Sequence, residues 1–346
     1  MTLTLNRLHA LPEGFLDTPA RELHRLLPGP TLIHLPGRRQ PELFVSVLLH
    51  GNEDVGLVAV QQVLRAQAGR ELPRAMSLFI GNVRAARDGL RRLDGQPDYN
   101  RVWPGTVAHA GTAEAALMAQ VQAIMQQRGV FASIDIHNNT GLNPHYSVVN
   151  RLDPAVLHLA RLLSRTVVWF KGPPGSQTAA FTPMCPSVAV ECGQPGQPAN
   201  EAAAARFLQA CLHLAEFPQH GVAETDIDLY HTVALVKVRP EVHFAFGDLA
   251  AELNFDPALD HMNFRELEAG AVFGRTHHPM PLEAADESGA DVSDRCFDVS
   301  DQILRLKRPA MPAMLTLDAR VVRQDCLCYL MERVPPACWR EAVQPR

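Results

Sequence analysis

Between residues 43 and 216 short apolar runs alternate with longer Ala-rich segments of helical period. That alternation restricts the chain to a sheet covered by helices on both faces, because each strand and each amphipathic helix must bury its apolar side against the other. The runs LFVSVLL, MSLFIGN, VFASIDI, TVVWF and SVAVE are the expected strands. Between them DVGLVAVQQVLRAQ, TAEAALMAQVQAIMQQ, DPAVLHLARLLS and NEAAAARFLQACLHLAEF carry apolar residues at spacings of three and four, with Asp or Asn near their starts as caps. After His220 the helical periods vanish, and short segments such as TVALVKVRP, AVFGRTHH and ILRLKRP are separated by Gly, Pro, Asp and Asn. This texture predicts an α/β domain over residues 1–220 and a small β-rich domain over 221–346, with the boundary inside FPQHGVAETDID.

Three of the expected strands end in a charged or ionisable residue, which is costly to bury unless something pairs with it. In VSVLLHGNEDVG the apolar run stops at His50, and Glu53 follows three residues later. In SIDIHNNTG the strand runs into His137, and in PSVAVECGQP into Glu191. A lone histidine at a strand end is ordinarily satisfied by a backbone carbonyl. Two histidines and a glutamate at neighbouring strand ends, however, form the His2Glu set that leaves zinc a further position for water. Glu191, followed by Gly and Pro residues suited to an open loop, is the candidate for moving a proton near such a metal. Asp135 alternates onto the side of its strand that carries His137, either as an acceptor for that ring or as a cap on nearby amides. The polar loop DGLRRLDGQPDYNRVWPG brings Arg91, Arg92, Asn100 and Arg101, and arginine's planar fork suits a carboxylate or a developing oxyanion.

Composition removes other classes of function. The net charge is -5, and the basic residues are scattered rather than clustered, which argues against nucleic acid as a partner. No stretch approaches the roughly 18 apolar residues of a membrane span, and the first residues lack the pattern of a secretion signal. Seven scattered cysteines without a CxxC element fit reduced thiols, so a cytoplasmic location is expected. A homodimer is the ordinary habit of such enzymes. Adjacent His277 and His278 alternate sides on a strand and do not suggest a second metal.

The motifs HGNE at 50–53, DYNR at 98–101, DIHN at 135–138 and VECGQP at 190–195, in that order, resemble the aspartoacylase and succinylglutamate desuccinylase family of the zinc carboxypeptidase clan. The resemblance covers most of the chain and implies a three-layer α/β/α zinc-exopeptidase-like sandwich with a mixed central sheet. It implies one zinc ion per chain on His50, Glu53 and His137, with Glu191 as general base and then acid. Asn100 and Arg101 would hold a substrate carboxylate, and Arg92 is nearest to the arginine that polarises the scissile carbonyl, with Arg91 the other choice. The implied substrate is a small N-acyl amino acid. A carboxypeptidase acting on short or modified peptides and a non-catalytic zinc-containing metabolite binder are the alternatives. Two family features have no match: no arginine lies between Arg165 and Arg206, where Lys171 is the only cation, and no tyrosine lies between Tyr230 and Tyr329. The acyl group therefore stays open.

Overall fold

The structure, a computed structural model, describes residues 3–340. Two compact units divide the chain, one holding residues up to Asn138, His145–Leu229 and the chain from Pro335, the other Asn139–Pro144 and Tyr230–Val334. The composition shift after His220 gives no hint that the short stretch Asn139–Pro144 departs from the first unit.

The first unit is built on strands β1 (Asn6–Leu8), β2 (Thr31–Leu35), β3 (Glu42–Val47), β4 (Met76–Ile80), β5 (Val130–His137), β6 (Tyr146–Val149), β7 (Thr166–Trp169) and β8 (Ser187–Glu191). Their order is β1-β2-β4-β3-β5-β8-β6-β7. The central strands β4, β3, β5 and β8 run parallel, while β2 and β6 join them antiparallel, so the sheet is mixed. Strands β2 to β4 are buried along their whole length, as expected for strands covered on both faces. The helices are α1 (Val55–Ala66), α2 (Val83–Asp88), α3 (Ala113–Arg128), α4 (Pro154–Ala160), α5 (Gln177–Phe181) and α6 (Pro198–His213). Side-chain caps at Asn82, Thr112, Asp153 and Ser176 open α2 to α5.

Helix α1 lies so close to the sheet that a Cβ on Gly56 would meet Val47 and Ile136, and it packs beside α6. The alternate residues of β3 face the other way. Phe44 stacks on Phe181 of α5 at 4.5 Å and meets the edge of Trp103, which is wholly buried with Phe79 and the apolar side of α3. Trp103 follows the DYNR motif by two residues, so this aromatic cluster anchors an otherwise irregular polar loop to the core.

The second unit contains β9 (Asp228–Val238), which begins just before it, together with β13 (Leu282–Ala285), β16 (Met311–Ala313) and β17 (Cys328–Arg333), all paired antiparallel. A second sheet of β10 (Phe244–Phe246), β11 (Leu253–Phe255), β12 (Val272–Thr276), β14 (Phe297–Ser300) and β15 (Ile303–Leu306) runs in the order β10-β11-β12-β15-β14. A single apolar cluster including Phe255, Phe273, Phe297, Leu304 and Leu330 fills this unit. No described helix is long and apolar enough to cross a membrane.

Candidate metal centre

Parallel pairing brings the chemistry-bearing strand ends to one edge of the sheet. His137 closes β5 directly opposite Glu191, the last residue of β8, and Val47 of β3 lies opposite Ile136. His50 and Glu53 lie in the turn between β3 and α1. Two backbone features shape that turn: Leu48 has a positive φ of 54°, and Gly51 sits where a Cβ would come within 2.2 Å of the Ala86 nitrogen. A residue other than glycine at 51 would push the HGNE turn away from α2. Strained backbone of this kind persists only where surrounding structure holds it, commonly at functional sites.

Asn138 explains the fourth letter of DIHN. Its Oδ1 accepts the N–H of Val55 at 3.0 Å, capping α1, and its Nδ2 donates to the Gly193 carbonyl at 2.8 Å. The Cys192 N–H donates to the His137 carbonyl at 2.9 Å. One asparagine thus stitches the HGNE turn, the end of β5 and the VECGQP loop together.

His50, Glu53 and His137 converge, with one ligand atom from each within 4.8 Å of the others, and are only 4–5% exposed. The two imidazoles present the same nitrogen to the shared carboxylate: His50 Nδ1 is 2.9 Å from Glu53 Oε1, and His137 Nδ1 is 2.7 Å from Oε2. Each Nε2 faces a buried aspartate, His50 that of Asp98 at 3.0 Å and His137 that of Asp135 at 2.6 Å. Asp135 accepts a further bond from the Ser46 hydroxyl. Each ring therefore lies between two carboxylates. The outer aspartates hold each ring by its Nε2, so the inner nitrogens and Glu53 lie together where they would serve as donors to a divalent cation. This neutral-imidazole and carboxylate set is what such an ion requires, and the residues present fit it.

Burial alone would raise Glu53, yet the two imidazoles hold it well below the usual carboxylate range. Glu191 behaves oppositely: burial pushes its carboxyl up to about 7, with His137 opposing the rise and Glu53 adding to it. Its Oε2 is enclosed and has no hydrogen-bond partner, an expensive arrangement for a carboxylate.

The expected arginines separate. Arg92 donates to the carbonyl of Gln96 at 2.8 Å within its own loop, because residues 93–96 turn back on themselves. Arg91 instead points inward and is buried, bound to Asp98 through Nε and Nη2 and 3.5 Å from Glu53. Of the two arginines weighed for this role, Arg91 lies beside Glu53, while Arg92 is engaged within its own loop. Asn100, expected to meet a substrate carboxylate, has both ends of its amide occupied: Oδ1 accepts the Gln177 N–H, and Nδ2 donates to Asp135 and approaches His137 Nε2 at 3.2 Å. Arg101 is half-buried and donates to the Asn100 carbonyl. Lys171 lies over the ring of Trp169. The supporting residues Asp98 and Asn138 lie within the quoted motifs, whereas Gln177 lies outside them and has no sequence signature.

Residues 39–217 match the family model of the succinylglutamate desuccinylase/aspartoacylase catalytic domain. Among solved structures, the succinylglutamate desuccinylase of Vibrio parahaemolyticus superposes with a TM-score of 0.59 at 13% identity, covering 88% of this chain and 86% of that one. That of Chromobacterium violaceum gives 0.55 at 15% identity, covering 86% of each chain. Murine aminoacylase 3 gives 0.50 at 16% identity, covering 86% of this chain and 97% of the other. At these identities the likeness establishes the fold, a mixed α/β architecture with a large mixed sheet. No curated protein sequence matches at comparable significance.

Proposed function

The chain belongs to the succinylglutamate desuccinylase/aspartoacylase family, and we propose that it is a zinc-dependent amidohydrolase that removes the acyl group from a small N-acyl amino acid. The observation that carries this reading is Glu191: a carboxylate with an enclosed, unpartnered oxygen at the strand position opposite His137. A metabolite binder has no need of such a group, whereas a hydrolase needs a base poised near neutrality. His50, Glu53 and His137 would hold a divalent cation, which would supply the positive charge to polarise an amide carbonyl and acidify water.

The chain's own residues do the rest. Glu191, raised toward neutral pH by burial, accepts a proton from the water that attacks the acyl carbon. It then delivers that proton to the leaving nitrogen as the C–N bond breaks, giving a carboxylate and a free amine. Arg101 is the remaining guanidinium of the DYNR loop suited to a substrate carboxylate, and Asn100 fixes the loop from inside rather than meeting the substrate. Arg91 places positive charge beside Glu53. The absence of an arginine between residues 165 and 206 favours an acyl group other than one recognised there through its own carboxylate.

The test is amine release by the zinc-loaded protein from a panel of N-acyl amino acids and short peptides. Hydrolysis confined to the N-acyl amino acids supports the proposal, while turnover of peptides alone would replace it with the carboxypeptidase reading.

A further inference from the structure

The second unit carries a cavity of about 430 Å³, and all of its lining residues lie between His231 and Glu332. We propose that it binds a small amphipathic monocarboxylate, with the anion at Arg295 and the apolar body against Val233, Val292 and Leu330. The proposal is independent of the metal centre, none of whose residues lines this cavity.

The floor follows from strand pairing. His231 and Val233 alternate onto one face of β9, and Glu332 of β17 lies opposite His231. Between the pairs Ala234–Leu330 and Thr232–Met331 the register skips Val233, so a bulge interrupts the ladder, a feature that re-aims side chains and is common beside functional sites. Val233 is half-buried, while Leu330 and Val292 are buried, which gives the cavity an apolar base. A concavity of this volume with an apolar base and a few charged groups at its rim has the make-up of a small-molecule pocket.

Charge selects the ligand. The acids of the rim are already engaged. Glu287 Oε1 lies 2.8 Å from His231 Nε2, and Glu332 Oε1 accepts from Arg308 at 3.2 Å. Asp286 Oδ1 accepts the N–H groups of Ser288 and Ala290 and the Ser288 hydroxyl within its own turn. The Arg295 guanidinium is the one charged group of the rim with no hydrogen bond or ion pair among the described residues. Burial pushes up the Cys296 thiol in the cavity wall, against Arg308 and Arg295, so both guanidinium charges reach the same wall. Arginine's planar fork matches a carboxylate at two points. The Arg308–Glu332 pair is exposed, and such pairs hold weakly, so Arg308 can turn to share the anion. Three carboxylates around two guanidinium groups make a dianion costly, which favours a single carboxylate over a phosphate ester.

The test uses the full-length protein with 13C-labelled valine and leucine methyls, titrated with hexanoate, hexanol and hexyl phosphate. Hexanoate should shift the methyls of Val233, Val292 and Leu330 saturably and bind about tenfold or more tighter than hexanol and hexyl phosphate. Arg295→Gln, at an exposed position, should weaken hexanoate about tenfold at those same methyls. No saturable shift of these three residues, hexanol or hexyl phosphate binding as tightly as hexanoate, or an unchanged affinity in Arg295→Gln would each overturn the proposal.

Discussion

The same sheet buries histidines in two regions, and they behave oppositely. His34 on β2 is as buried as His50 and His137, at 4% exposure each. Its Nδ1 meets only the Ser77 hydroxyl of the paired strand at 2.7 Å, and its Nε2 has no partner. Burial, helped by Arg128, drives its pKa down to about 4, so the ring stays neutral and acts as core. At the other region burial and Arg91 also push His50 down, but Glu53 and Asp98 outweigh them, while Asp135 and Glu53 raise His137 well above its ordinary value. Burial of a histidine is thus no sign of a site. What distinguishes the candidate metal centre is carboxylates on both sides of each ring.

The largest effect should come from Glu191. Glu191→Gln should lower kcat by about 10²- to 10⁴-fold with zinc content unchanged, the range expected for a lost general acid-base group; unchanged turnover on a confirmed substrate would remove Glu191 from the chemistry. Next, Glu53→Gln takes away the carboxylate both inner nitrogens share. Its zinc affinity should fall by more than the 10- to 100-fold expected when a ligand's hydrogen-bond partner is lost, read by chelator competition. Trp103→Ala should cost about 3–5 kcal/mol in denaturant unfolding by emptying the aromatic cluster under the DYNR loop.

Two pH measurements sharpen the contrast between the regions. A base must be ionised, so kcat/KM should rise with pH along an acid limb between 4.5 and about 7, the ordinary and buried values for Glu191. A profile flat across that window would contradict the assignment. His34 has its folded pKa below the unfolded one, so the stability it contributes is complete above 6.5 and is lost as pH falls from 6.5 toward about 4. His34→Gln should flatten that loss by on the order of 1 kcal/mol in unfolding experiments at the two pH values.

Much of this was legible in the sequence because period and motif are local. The expected strands at 43–49, 76–82 and 130–136 overlap β3, β4 and β5, and the four expected helices overlap α1, α3, α4 and α6. Strand β2, TLIHL, escapes because its histidine interrupts an apolar run and only the Ser77 pairing explains it. Strand β6 is short and follows the irregular Asn139–Pro144 stretch. Arg91 and Arg92 are adjacent in a loop without periodicity, and only the turn at 93–96 decides which one points inward. Asp98 meets His50 across 48 positions of sequence, a contact no spacing rule reports.

Anomalous scattering at the zinc edge from crystals of the zinc-loaded protein tests the central claim most directly. The account predicts one strong peak per chain, about 2.0–2.2 Å from Nδ1 of His50, Nδ1 of His137 and a carboxylate oxygen of Glu53. A zinc-replete crystal with no peak among these three side chains, or with its peak on other residues, would contradict it.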